Sequence, residues 1–327
     1  MSRILLPTEH AIAEAAEAIK RGELVAFPTE TVYGLGANAL NEGAVARIFA
    51  AKGRPPSNPV IVHVGRNMDL SQYGKIPDFA HAIINEFWPG PLTLVVQKSD
   101  AVPAVVTAGG DTVGLRMPAH PISLKLLDAA GVPIAAPSAN KSEQLSPSRA
   151  HHVAESLGDS VDIILDGGQS NVGIESTVLD VTVFPPVILR PGMVTAAMIA
   201  RCLGVTQVDR AGESNEQVSR SPGQMLRHYA PRTRVVLSDE PVKLALSYAT
   251  AAVVSHRSHR SNASVTVSYQ QMSADPFEYA QNIYRVLHEL DALGAEVIIV
   301  ETIPNGCEWD GIRDRLRRAA STRDQSQ

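Results

Sequence analysis

From residue 8 onward the chain repeats one grammar: a helix-patterned stretch, a break of small or polar residues, then a short apolar run. Thr8 fits an N-cap, Ala11 to Lys20 reads as a helix, and Gly22 stands where a helix C-terminus favours glycine. Leu24 to Phe27 follows as a buried strand. Asn41 can cap a helix to Lys52, Val60 to Val64 is strand, Phe79 to Phe87 helix and Leu92 to Val96 strand. Further apolar runs lie at Val113 to Met117, Ile134 to Ala136, Val161 to Leu165, Val178 to Val181 and Val187 to Leu189, with helices at Pro121 to Ala130 and Thr195 to Leu203. Such alternation predicts an α/β fold. Several strand runs arrive with no helix between them, so the sheet is expected to be mixed and not purely parallel.

One core seldom serves 327 residues, so two compact units are expected, one large and one small. Gly204 to Pro231 is rich in small and polar residues and reads as an exposed connection. The expected division is therefore 1–203, a linker at 204–231, and a smaller α/β domain at 232–327. In that last part Arg234 to Leu237, Ala251 to Val254, Val265 to Val267 and Val297 to Val300 read as strands, and Lys243 to Tyr248, Pro276 to Leu290 and Trp309 to Ala320 as helices.

The formal charge of −5 argues against a broad nucleic-acid footprint, which usually makes a whole domain basic, but leaves room for a local basic groove. Cys202 and Cys307 are far apart and support neither a disulfide framework nor a thiolate metal site. Met1 to His10 lacks the apolar core of a signal peptide, and no apolar run approaches the roughly 20 residues that span a bilayer, so a cytoplasmic protein is expected.

Chemistry-bearing residues gather at strand ends. Phe27-Pro-Thr-Glu-Thr-Val-Tyr-Gly-Leu-Gly36 breaks into hydroxyls, a carboxylate and two glycines, a site loop or an ordinary polar turn. Lys52-Gly-Arg54 with Asn58 suits a polyphosphate, although a pair of cations also fits a solvated helix C-terminus. His63 either faces a cavity or satisfies a core carbonyl. Thr112, Gly114 and Arg116 share one strand face, where a buried guanidinium needs an anion: a ligand carboxylate or a structural salt bridge. Ala135-Ala136-Pro137-Ser138-Ala139-Asn140 with Ser146, Gly173-Ile-Glu175-Ser176-Thr177 and Leu189-Arg190-Pro-Gly192 add hydrogen-bonding strand ends. No P-loop, zinc-hydrolase or nucleophile-elbow pattern occurs, and no protein metal site is expected.

Taken together, Pro28 to Gly36, Lys52-Gly-Arg54, Trp88-Pro-Gly-Pro-Leu-Thr93, Gly114-Leu-Arg-Met-Pro118, Pro137-Ser-Ala-Asn140, Glu175-Ser-Thr177, Leu189-Arg-Pro-Gly192 and Ser221 to Pro231 resemble, over essentially the whole chain, the long two-domain form of the YrdC-like threonylcarbamoyl-AMP synthase family. The resemblance implies a twisted mixed YrdC-like sheet with surrounding helices and a C-terminal Rossmann-like α/β domain. It implies condensation of L-threonine, bicarbonate and ATP to threonylcarbamoyl-AMP and pyrophosphate, with Mg²⁺ carried on the triphosphate. A partner enzyme would then modify the tRNA adenosine beside the anticodon, and a weak or transient tRNA contact is left open. By motif, Lys52, Arg54, Ser138 and Asn140 match the catalytic quartet. Arg54, Asn58, Thr112, Ser138, Ser146, Arg190 and Tyr229 match ATP contacts, and Thr31, His63, Arg116, Ala136 and Ser176 match threonine contacts. The linker is expected to act as a lid, although Gln224, Met225 and Leu226 depart from its more basic or aromatic versions. Two rivals are an RNA-binding module of the same fold and a carbamoyl-adenylate enzyme of hydrogenase maturation. Net acidity counts against the first, and too few cysteines and too short a chain against the second.

Overall fold

The computed structural model describes residues 2–211, 229–257 and 267–321. The first part contains β1 (Arg3–Leu5), α1 (Glu9–Lys20), β2 (Val25–Phe27), β3 (Gly34–Asn38), α2 (Glu42–Lys52), β4 (Val62–His63), β5 (Gly74–Lys75), α3 (Ala80–Phe87), β6 (Leu92–Lys98), β7 (Thr112–Arg116), α4 (Pro121–Ala130), β8 (Ile134–Ala135), α5 (Ala150–Leu157), β9 (Ile163–Leu165), β10 (Thr177–Asp180), β11 (Val187–Arg190), α6 (Ala196–Leu203) and β12 (Asp209–Arg210). After Tyr229 follow β13 (Arg234–Ser238), α7 (Pro241–Ala245), β14 (Ala251–Ser255), β15 (Val267–Gln271), α8 (Pro276–Ala292), β16 (Val297–Glu301) and α9 (Asp310–Ala320).

Cap chemistry sets several helix limits. Thr8 and Asn41 accept from the backbone of Ala11 and Ala44, and Gly53 ends α2 with a left-handed φ of 60°. Described strands form a sheet ordered β1-β9-β2-β3-β8-β4-β7-β6-β10-β11-β12, with β5 on β6. Its pairings are mixed: β4–β7 and β6–β10 are parallel, whereas β2–β3, β3–β8 and β6–β7 are antiparallel. This is the mixed sheet that unbridged strand runs predict. One face packs on α1 and α4 through Ile12, Ile19, Leu126 and Leu127, and the other carries the main core, including Leu35, Ile48, Ile83 and Ile199.

The second sheet, β13-β16-β14-β15, is parallel throughout. Its α8–α9 side shares one apolar cluster with Val32, Leu145, Ile174, Met193 and Tyr229, so these helices lie directly against loops of the first unit.

Four elements differ from expectation. Gly34 to Asn38 is a strand, not part of a loop, because it pairs with both β2 and β8. Gly36 is required there: a Cβ would stand 2.7 Å from the Phe27 ring and 2.8 Å from Ile134. The Val60 to Val64 run shortens to Val62–His63, β1 forms on the short run Ile4 to Leu6, which the reading passed over, and α5 arises without a side-chain cap that marks it. Val265 and residues 212–228, on which the lid expectation rests, lie outside the described residues.

Candidate active site

A cleft of about 520 Å³, open solvent at its mouth included, forms where the ends of β4, β7, β8 and β11, the start of β10 and the loop 28–33 meet. Backbone bonds fix these segments together: Ala139 donates to the Tyr33 carbonyl at 2.8 Å, Leu35 to that of Pro137 at 2.8 Å and Tyr33 to that of Pro147 at 2.9 Å. Thr31, Arg54, His63, Arg116, Ala136, Ser138, Ser176, Arg190 and Tyr229, nine of the sequence candidates, line it together with Thr29 and Glu175.

At one end the Arg116 guanidinium, buried at 4% exposure, donates to Glu30 Oε1 at 2.6 Å and to the Gly90 carbonyl at 3.2 Å. Glu30 Oε2 accepts from the Ala119 backbone at 3.0 Å. The structural salt bridge is therefore present, yet no described residue accepts from Arg116 Nη1. His63 stands edge-on to Phe27, and burial, reinforced by the Arg116 charge, lowers it to about 3, so it is neutral at physiological pH. Its buried Nδ1 meets no hydrogen-bond partner among the described residues. Thr31 Oγ1 shares a 2.8 Å bond with Thr29 Oγ1.

At the other end Arg54 Nε and Nη2 donate to the carbonyls of Asn58 and Pro59 at 3.0 and 2.7 Å. Burial brings its guanidinium down to about 10, still a cation at neutral pH. Lys52 stands behind the wall, its ammonium donating to the carbonyls of Ser138 and Asn140 at 2.6 and 2.5 Å. Burial, then the Arg54 charge, pushes it well below the ordinary lysine value. Arg190 Nε and Nη2 donate to the Ser176 carbonyl at 3.1 and 3.0 Å and Nη2 also to its hydroxyl at 3.2 Å, which bonds Thr93 at 2.8 Å. Tyr229 is buried with a left-handed φ of 61°, a strained setting for a tyrosine.

Four candidates stand outside the wall besides Lys52. Asn140 braces the 138–144 turn, donating to the carbonyls of Lys141 and Gln144, and Asn58 sits under Arg54. Ser146 donates to Glu175 Oε1 at 2.5 Å. Thr112 lines a small neighbouring cavity with Thr107, Gly114 and Val178, because the strand face it shares with Arg116 runs past the cleft's edge.

The sequence reading gave no role to Glu30, Glu175, Tyr284 or Arg315. Arg315 Nε meets Glu175 Oε2 at 2.7 Å, and the Tyr284 hydroxyl donates to the same carboxylate at 3.1 Å. Burial alone would raise Glu175, but the Arg315 and Arg190 charges outweigh it and hold the carboxyl at about 2. One signal was available: Arg315 interrupts the buried stripe Gly311, Ile312, Leu316 and Ala319 of α9, where a cation needs an anionic partner.

The described residues contain no helix long and apolar enough to cross a membrane and no cluster of three or more His, Cys, Asp or Glu arranged to hold a metal. Residues 17–192 match the Sua5–YciO–YrdC family model, described as telomere recombination, and residues 194–321 match that of the threonylcarbamoyl-AMP synthase C-terminal domain. The chain is 42% identical over 325 residues to the threonylcarbamoyl-AMP synthase of Pyrococcus abyssi, covering 96% of this chain and 95% of that one. It is 38% identical to that of Bacillus subtilis, covering 95% and 93%. A crystal structure of P. abyssi Sua5 complexed with L-threonine superposes with a TM-score of 0.89 at 39% identity, over 98% of this chain and 97% of the other. With both family models matched in order and relatives aligned almost end to end, the chain belongs to the threonylcarbamoyl-AMP synthase family.

Proposed function

We propose that the cleft joins L-threonine, bicarbonate and ATP into threonylcarbamoyl-AMP and pyrophosphate, with Mg²⁺ arriving on the triphosphate. The observation that carries this reading is the convergence of three buried guanidiniums, Arg54, Arg116 and Arg190, on one cleft, while Glu175 in its wall and Glu30 beside it are already paired to arginine. Such a surplus of fixed donors suits a polyanion beside a carboxylate.

Threonine's carboxylate is assigned to the Arg116 end, where Nη1 is available, with Thr31, Ala136 and neutral His63 around the side chain. His63 is too weak a base to take the amine proton and acts as a hydrogen-bonding wall. The amine, once its ammonium proton has gone to solvent, attacks the bicarbonate carbon; an amine proton and the bicarbonate hydroxyl leave together as water, giving a carbamate. A carbamate oxygen then attacks the α-phosphorus, the bond to the α,β-bridging oxygen breaks, and pyrophosphate carries away the electron pair. Arg54 and Arg190 offset charge that builds on the phosphates. Lys52 shapes the 138–140 turn from behind, and Ser138 presents its hydroxyl from that turn.

Residues 1–203 are assigned to substrate binding and residues from 232 onward to support of the site, with the product passed in the cytoplasm to a partner that modifies tRNA. The test is pyrophosphate release by the full chain. It should require ATP, bicarbonate and L-threonine together and proceed without RNA; release that ignores threonine would overturn the assignment.

A further inference from the structure

We infer that Arg315, from the last helix, is a positioning residue for adenylate formation: it ties together the segments that carry Ser176, Arg190 and Tyr229. The inference rests on the function proposed above. Arg315 is 1% exposed and is among the largest fully buried side chains, although it starts from the unit farthest in sequence from the cleft. Its guanidinium reaches three pieces of the wall at once. Nε and Nη2 meet the Glu175 carboxylate at 2.7 Å and the Glu175 carbonyl at 3.2 Å, next to Ser176. Nη1 donates to the Pro191 carbonyl at 2.8 Å, next to Arg190. Its central carbon lies 5.1 Å from the centre of the Tyr229 ring.

Backbone packing points the same way. A Cβ on Gly311, four residues earlier on α9, would stand 2.9 Å from the Gly192 Cα, and one on Gly192 would stand 2.5 Å from the Thr177 nitrogen. Helix, loop and strand start are thus in near contact through two glycines, and a shift of α9 is transmitted directly to the Ser176 and Arg190 segments. Tyr284 of α8 adds a second bond from the same unit to Glu175.

A planar fork serves this junction as a point charge cannot, since the Glu175 carboxylate, the Glu175 carbonyl and the Pro191 carbonyl are met by three separate nitrogens, a spread that the single nitrogen of a lysine does not match. The opposite end of the cleft owes nothing to Arg315: Arg116 is set by Glu30 and Gly90. Of the five threonine candidates only Ser176 touches the Arg315 network.

The experiment compares the full chain with Arg315→Lys and with the charge-neutral double variant Glu175→Gln/Arg315→Gln, measuring pyrophosphate release, L-threonine binding by calorimetry and cooperative melting. Each variant that melts cooperatively should bind threonine within about three-fold of the parent. It should lose about ten-fold or more in kcat/KM for ATP. Unchanged ATP kinetics, or equal loss at both substrates, overturns the inference. If neither variant melts cooperatively, Arg315 is a folding residue and the inference falls as well. A parent that releases no threonine-dependent pyrophosphate instead defeats the functional reading itself.

Discussion

Two buried guanidinium–carboxylate pairs border the cleft, and they are assembled from different distances. Arg116–Glu30 closes 86 residues of chain inside one sheet, its arginine on β7 and its glutamate on the loop after β2. Arg315–Glu175 closes 140 residues and draws its arginine from α9, which packs between the second sheet and the loops of the first unit. The first leaves Arg116 Nη1 without a described partner, whereas Arg315 spends its donors on Glu175, Pro191 and Asp314. On the proposed assignment, one pair presents a donor to a ligand, and the other braces the segments that carry Ser176 and Arg190. On that assignment the threonine end, Ser176 apart, is set within the first unit, and the phosphate end leans on the C-terminal helices.

Removing one member of the interdomain pair should do the most damage. Glu175→Ala leaves the Arg315 and Arg190 guanidiniums buried without their carboxylate, and about 3–5 kcal/mol of unfolding free energy should disappear in a denaturant titration, together with turnover. A loss below about 1 kcal/mol would mean the pair is no anchor.

Acid should reproduce part of that loss. The Glu175 carboxyl, offset by Arg315, Arg190 and Ser146, lies at about 2 against an ordinary 4.5. Because the folded value is depressed, its stabilisation is complete above pH 4.5 and fades as pH falls toward 2, by roughly 3 kcal/mol in all. Denaturant titrations across that window should fall more steeply for the parent than for Glu175→Gln; parallel curves would break the assignment.

Arg116→Lys sharpens the contrast from the other side. It keeps the charge beside Glu30 but removes the fork, so KM for threonine should rise by roughly 30- to 100-fold, the equivalent of about 2–3 kcal/mol, while ATP kinetics change little. An equal effect on both substrates would show that the two ends are not separate.

The smallest effect belongs to His63. Held neutral down to about 3, it should add no limb to the pH–rate profile near the ordinary histidine value of 6.5. His63→Asn should weaken threonine binding only about five-fold, one neutral hydrogen bond, with an unchanged profile.

Much of this was legible in the sequence. Caps at Thr8 and Asn41 and short apolar runs located most of the sheet, and strand ends loaded with hydroxyls and cations marked the segments of eight cleft-lining side chains, because local patterns encode strand ends directly, whereas Tyr229 and the division into ATP and threonine contacts came from the family resemblance. Position relative to the wall was less legible. Lys52 reads as a phosphate cation, but its ammonium lies against two carbonyls, and that depends on where the 138–140 turn crosses α2. Thr112 shares a strand face with Arg116, yet the cleft ends before reaching it, since strand alternation fixes a face but not the extent of a cavity. Glu175 and Arg315 find each other across 140 residues, and the only local trace is a cation placed in an apolar helical stripe.

The most direct test is to incubate the full chain with ATP, heavy-carbon bicarbonate and L-threonine and weigh the nucleotide product. A threonylcarbamoyl-adenylate that carries the heavy carbon, absent when threonine is omitted, is the expected result. AMP or ADP alone, or an adenylate that lacks the label, would contradict the account.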